Sequence, residues 1–365
     1  MSAYNPNDIL KQIEDNKSRF KTYNAVKLKK LYDSIPSETV KAVFDYIPLL
    51  LHVNKPQFPG YIESDILPTG VSGFKMNQRA LKFLKSKDQS PDLFRPHEDP
   101  FVQMFALMGS GGTVAFGEHS DFDFWICAYE HEYDPEAIKL YKIKCRAIED
   151  WIGENFNVEV HFFLNDIEKV KHNIFDEDEE DGLVGTSLGQ LLKEEFFRSS
   201  IVINGKMPFW WVTPPNITDM DYSEWLYVIN KSPKVDEYID IGNLSKIVIE
   251  DFVIAALFQI LKSLGNPFKS IIKLGLLERY LNNISGNPFI SNFIKLNVQK
   301  GKLEYEDIDA YVIMFNYVHD YIKQGLQDHD AAELIKNCFY LKVDPKLSLQ
   351  DKNEETAYAE KKMIM

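Results

Sequence analysis

Met108-Gly-Ser-Gly-Gly-Thr-Val-Ala-Phe-Gly-Glu-His-Ser-Asp-Phe-Asp-Phe-Trp-Ile-Cys127 decides the reading of this chain, because it joins a glycine-rich turn to two carboxylates one residue apart. The run around Asp121 and Asp123 (Phe122, Phe124, Trp125, Ile126, Cys127) is aromatic and β-branched, which predicts a strand. Period-2 geometry then puts both carboxylates on one face. Carboxylates paired on a rigid strand suit a divalent metal beside the phosphates of a nucleotide, and the Gly109-Ser110 turn offers those phosphates backbone N–H groups and a hydroxyl. Either piece alone has an ordinary explanation, as an edge strand with solvated acids or as a flexible turn. Their order is more specific: the apolar run Phe105–Met108, the turn, a short helical stretch, then the Asp-x-Asp strand. It predicts a metal-dependent nucleotidyl-transfer site. Trp125, on the same face as Asp123, is either core or the floor of a nucleotide pocket, and core is the expectation.

Such a site needs a third carboxylate from a neighbouring strand. Asp134-Pro135 predicts a helix start, with Asp as N-cap and Pro at the first helical position. Ile138, Tyr141, Cys145, Ile148 and Ile152 then recur at three- and four-residue steps, and the helix is expected to end near Gly153. The next run, Val158-Glu-Val-His-Phe-Phe-Leu164, alternates, so Glu159 lies opposite the main apolar set. An acid between two valines is either a surface residue or a ligand; Asp121 and Asp123 one crossover earlier favour the ligand.

On these residues the chain resembles the catalytic half of the class I adenylate cyclases of Gram-negative bacteria. The match lies in Gly109-Ser110 and in Ser120-Asp-Phe-Asp-Phe-Trp-Ile-Cys127. Further blocks follow the same order: Pro59-Gly-Tyr61, Val158-Glu-Val160 with Phe162-Phe-Leu164, Glu195-Phe-Phe-Arg198, Gly205-Lys206, Asn266-Pro-Phe-Lys269 with Lys273 and Leu276-Leu-Glu278, and Cys338-Phe-Tyr-Leu-Lys-Val343. Two positions depart from the family pattern: Gly111, where a second hydroxyl residue is usual, and Phe116, where a glutamine is.

The resemblance implies conversion of ATP to 3′,5′-cyclic AMP and pyrophosphate, with two Mg²⁺ ions on Asp121, Asp123 and Glu159. It implies that Gly109, Ser110, Thr113 and Ser120 contact ATP. Lys269 and Lys273, four apart and so on one helix face, are either a solvated pair or the holders of the triphosphate tail. Their match to family lysines favours the tail, with Lys206 and Arg198 as weaker candidates. A regulatory protein acting through a C-terminal half absent from this chain is a further implied partner. Two rival activities share these residues: transfer of AMP to a protein, small molecule or RNA end, and silent nucleotide binding by a regulatory module.

Composition sets outer bounds. At 365 residues, more than one packed unit is expected. A formal charge of −14 argues against nucleic acid as a partner, since phosphate contacts need a basic face. The acidic run Asp176–Asp181 reads as a solvated loop. No apolar run approaches the roughly 18 residues a membrane span needs, and the N-terminus lacks a secretory pattern, which predicts a soluble cytoplasmic protein. Cys127, Cys145 and Cys338 lie in apolar patterns and read as reduced core residues. Walker A, HExxH and GxGxxG motifs are absent from the sequence, while His319-Asp320 and His329-Asp330 are too close together for a metal phosphohydrolase.

The predicted architecture is α+β: a mixed α/β nucleotidyltransferase-like palm flanked by helical segments. The expected parts are a mainly helical region 1–95, the catalytic palm 96–215, a helical domain 216–350 and a charged tail 351–365. The palm is expected to close with a hairpin, Ser200–Asn204, an Asn204-Gly205 turn, then Met207–Val212. Helices are predicted over Leu244–Leu264, Lys269–Tyr280, Ile308–Ile322 and Ala331–Cys338.

Overall fold

The computed structural model describes residues 5–35, 37–75, 77–87, 97–117, 120–175, 189–244, 247, 249–282 and 289–344. The acidic run 176–181 and the tail 351–365 lie outside the described residues. Helix α1 (Pro6–Ser34) starts where the Asn5 side chain accepts from Asn7 N–H and proline occupies the first turn. It buries Ile9, Ile13, Phe20, Tyr23 and Leu31, so one stripe of a long helix faces the core. Helix α2 (Glu38–His52), capped by Ser37, buries Phe44, Ile47, Leu50 and Leu51, and α3 (Gln78–Lys87) follows.

Strands β1 (Met104–Met108) and β2 (Phe122–Ala128) pair antiparallel, with Met108 opposite Asp123. Helix α4 (Pro135–Phe156) has the expected Asp134 cap, whose side chain accepts from Glu136 N–H at 2.8 Å. It runs three residues beyond the expected end and stops at Asn157, which takes a left-handed backbone (φ 52°). The helix carries the chain back for β3 (Val160–Asp166) to pair parallel to β2, the crossover that parallel strands require. Helix α5 (Ile167–Lys171) and helix α6 (Gly189–Ser199) precede β4 (Ile201–Gly205), which pairs antiparallel with β1. The sheet order is therefore β3-β2-β1-β4.

Alternation along β2 explains how the sheet is covered. Phe122, Phe124 and Ile126 enter the core shared with α2 and α4, where Phe44 lies 5.6 Å from Phe124. Trp125 and Cys127 point to the opposite core, where Trp125 stacks on Phe196 of α6 at 4.2 Å. Trp125 is core, as expected. By the same period, Asp121 and Asp123 share the Trp125 face, at the end of the strand where that face opens.

The expected hairpin after Ser200 does not form. Gly205 (φ +98°) approaches the backbone so closely that a Cβ there would stand 2.3 Å from the Gln103 carbonyl oxygen, and Lys206 N–H donates to that same oxygen at 2.8 Å. The chain thus stays along β1 instead of reversing. Strand β5 (Met207–Pro208) pairs in parallel with β6 (Tyr238–Ile239), and Phe209–Val212 forms a short, fully buried 3₁₀ turn. Aromatic packing decides this: Trp210 stacks on Phe197 at 4.2 Å and Trp211 sits 5.0 Å from Phe20 of α1. Between β5 and β6 lies α7 (Asp219–Asn230).

The remainder is helical: α8 (Ile249–Lys262), α9 (Pro267–Asn282), α10 (Ile290–Gln299), α11 (Tyr305–Ile308), α12 (Ala310–Asp320) and α13 (His329–Val343). Helix α10 is one the spacing did not single out. All three cysteines are buried and free, as expected. No described helix is long and apolar enough to cross a membrane.

Candidate active site

The strand order brings His161 to Asp123. In the parallel pairing the two are direct register partners, and one ligand atom each from Asp121, Asp123 and His161 lie within 4.8 Å of one another. Asp121 is exposed and Asp123 half-buried. Burial, with the neighbouring charge of Asp121, pushes the Asp123 carboxyl above its ordinary value, against His161 and Lys269 pulling it down. Two carboxylates and an imidazole on one face are donors of the kind that holds a divalent cation, and such an ion would relieve the crowding of the acids.

Glu159 sits just before β3, with its carbonyl accepting from Phe122 N–H at 3.0 Å. Its side chain is 72% exposed and meets His161 Nε2 at 3.1 Å. It is on the acid face by period, yet His161 is the residue that stands among the carboxylates. Sequence reasoning passed over His161; its signal was the two-residue step from Glu159, which needs the parallel register to acquire meaning.

The glycine-rich turn is folded from within. Gly109 (φ +101°) takes a conformation that suits glycine, and a Cβ there would lie 3.9 Å from Asp123 Oδ2. Its N–H donates to Ser199 Oγ of α6 at 3.1 Å. The Ser110 and Ser120 hydroxyls lie 3.4 Å apart beside the acids, and Ser120 Oγ accepts from Gly117 N–H. Thr113 is buried and donates to the Ser110 carbonyl at 2.6 Å, so it shapes the turn. The expected short helix is instead two successive tight turns, Thr113 N–H to Ser110 O and Phe116 N–H to Thr113 O. At Gly111 a Cβ would meet Leu107 at 2.5 Å, and Phe116 is buried 5.7 Å from Phe122. Both departures from the family pattern therefore serve packing.

Lys269 and Lys273 stand on α9 in different surroundings. Tyr311, then Glu195, Asp121 and Asp123, outweigh burial and hold the Lys269 ammonium above its ordinary value. Lys269 is thus within the field of both acids. Lys273 donates to both oxygens of Glu195, at 2.8 and 3.0 Å. Burial alone would raise the Glu195 carboxyl, but Lys273, Arg198 and Lys269 hold it well below the carboxylate range. Arg198 is buried in the same network, bonded to Glu194, which also accepts from Tyr280 Oη and Ser291 N–H.

A sheet opens its Asp-x-Asp strand beside a glycine-serine turn, with a half-buried lysine in the field of the acids, and this gathers groups that could hold a divalent cation. Residues 12–211 match the adenylate cyclase NT domain family and residues 247–364 the second domain of class-I adenylate cyclases. The chain belongs to the class-I adenylate cyclase family. It is 30% identical over 353 residues to an adenylate cyclase of Proteus mirabilis, covering 94% of this chain and 39% of that protein. Adenylate cyclases of Salmonella typhimurium (29% over 346 residues) and Escherichia coli K12 (29% over 349) match over 92% of this chain and 39% of their own lengths. The chain thus spans about two fifths of the length of the curated relatives it matches. No solved structure matches it.

Proposed function

We propose that this chain converts ATP to 3′,5′-cyclic AMP and pyrophosphate on a nucleotidyltransferase-like palm. The observation that carries the proposal is the pair Asp121 and Asp123 at the open end of β2, in the field of Lys269. In this reading Asp121 and Asp123 would hold two Mg²⁺ ions, and Glu159 is the third acid of the same face. Bound there, the cations would lower the pKa of the ribose 3′-hydroxyl and offset charge building on the departing pyrophosphate.

The chain's own groups do the rest. Lys269 meets the triphosphate tail as a fixed positive charge. Lys273 keeps Glu195 ionised and in place, which holds α6 against α9 and so supports Ser199, the acceptor for Gly109 N–H. The Ser110 and Ser120 hydroxyls, 3.4 Å apart beside the acids, would donate to a phosphate oxygen. Gly109 and Thr113 fix the shape of the turn that faces the nucleotide in this reading. Because the attacking hydroxyl belongs to the same ATP, positioning and charge stabilisation supply the acceleration.

The test is direct. Purified protein incubated with ATP and Mg²⁺ is expected to yield cyclic AMP and pyrophosphate on chromatography of the products. AMP attached to an acceptor, or ATP returned unaltered, overturns the assignment.

A further inference from the structure

We propose that His161 is a nitrogen ligand in the cation site, oriented by Glu159, and that the site therefore prefers Mn²⁺ to Mg²⁺. The inference rests on the reading that Asp121 and Asp123 hold a divalent cation.

Register comes first. The parallel pairing sets His161 directly beside Asp123, and a ligand atom of His161 falls within 4.8 Å of one from each aspartate. Glu159 is two residues earlier on the same face and points its Oε1 at His161 Nε2, 3.1 Å away. When Nε2–H donates to that carboxylate, the lone pair is left on Nδ1, the other ring nitrogen. A histidine whose far nitrogen is held by a carboxylate is the usual form of a metal-bound imidazole, since the acid fixes the ring and raises its basicity. Glu159 is then a positioning residue. Among the described residues, Glu159 is not in the group whose ligand atoms lie within 4.8 Å of one another, which fits that role better than direct ligation.

Donor type sets the preference. Mg²⁺ keeps to oxygen ligands in near-ideal octahedral geometry and gives up water reluctantly. Mn²⁺ accepts carboxylate and phosphate oxygens like Mg²⁺ and, as a first-row transition ion, also takes an imidazole nitrogen. Two carboxylates and one imidazole, completed by triphosphate oxygens, match Mn²⁺ on every donor and Mg²⁺ on all but one.

The experiment loads the full chain with Mn²⁺, without nucleotide, and records pulsed electron paramagnetic resonance. Wild type is expected to show ¹⁴N modulation from a directly bound imidazole. His161→Asn should lose the modulation and weaken Mn²⁺ binding more than any other single change at the site, with a much smaller change in Mg²⁺ binding measured by competition. Glu159→Gln should keep the modulation and bind Mn²⁺ about 10- to 100-fold more weakly. Mn²⁺ bound in an Asp123-dependent way without ¹⁴N modulation overturns the inference and leaves the cyclase reading standing. So does modulation that survives in His161→Asn. A wild type that binds no Mn²⁺ overturns it as well; if that protein also makes no cyclic AMP in Mg²⁺, the cyclase reading falls with it.

Discussion

Val114 N–H donates to Asp309 Oδ2 at 2.9 Å, so the first residue before α12 holds the glycine-rich turn across 195 residues of chain. The other oxygen of Asp309 accepts from Tyr311 and Val312 N–H, at 2.9 and 3.1 Å. One buried carboxylate thus caps a helix and anchors the turn beside the acids.

Removing that carboxylate should loosen both. Asp309→Ala loses a cap and leaves buried N–H groups unmet, for an expected destabilisation of about 2–3 kcal/mol in urea unfolding. Asp309→Asn keeps one acceptor oxygen but sets its amide NH₂ against the N–H groups that the other oxygen serves, so it should recover only part of that loss. Equal losses in the two variants would show that both carboxylate oxygens are needed.

Asp123→Asn is expected to separate stability from activity. Burial and Asp121 make the Asp123 charge costly, so the amide should unfold at the same or a higher temperature when no metal is added. Cyclic AMP formation should fall by several orders of magnitude, because cation-held charge stabilises the transition state. A variant that retains cyclase activity refutes the site.

The two lysines of α9 should fail in different ways. Lys269→Ala should raise the KM for ATP while leaving the fold unchanged. Lys273→Ala strands the Glu195 carboxylate among buried groups, with an expected loss on the order of 3 kcal/mol. Adding Glu195→Gln should restore part of that loss. If Lys273→Ala instead folds normally and only raises KM, both lysines serve the substrate.

Stability should rise with pH above neutrality. Lys27 is buried, donates to the Ser199 and Ser200 carbonyls at 2.5 and 3.1 Å, and has its pKa pulled by burial from 10.5 to about 7, against the pull of Asp309. Between those values the unfolded chain holds one more proton than the folded chain, so each unit of pH adds up to about 1.4 kcal/mol. Denaturant unfolding from pH 7 to 10 should therefore show a shallower slope for Lys27→Met than for wild type. Identical slopes would mean that Lys27 stays charged in the fold.

Short-range features were legible in the sequence. The acid face of β2, the Asp134-Pro135 helix start and the burial of Trp125 all follow from local periodicity and capping, whose physics acts within a few residues. Features that depend on partner choice were not. Glu195 as the acceptor of Lys273, 78 residues away, leaves no mark in either segment. The failed hairpin had the right turn residues but lost to the burial of four consecutive large side chains, Phe209 to Val212. His161 was hidden for the same reason, since its nearness to Asp123 is a property of the pairing and not of either strand.

The bond from Val114 to Asp309 also sets a clock. Strands β1 and β2 can pair as soon as they are made, but the turn between them gains its anchor only after 195 further residues have been synthesised. At roughly 5–20 residues per second, that is an interval of about 10–40 s in which the nascent chain carries its two acids without the carboxylate that anchors their neighbouring turn. The turn beside the two acids is therefore anchored only once α12 has begun to form.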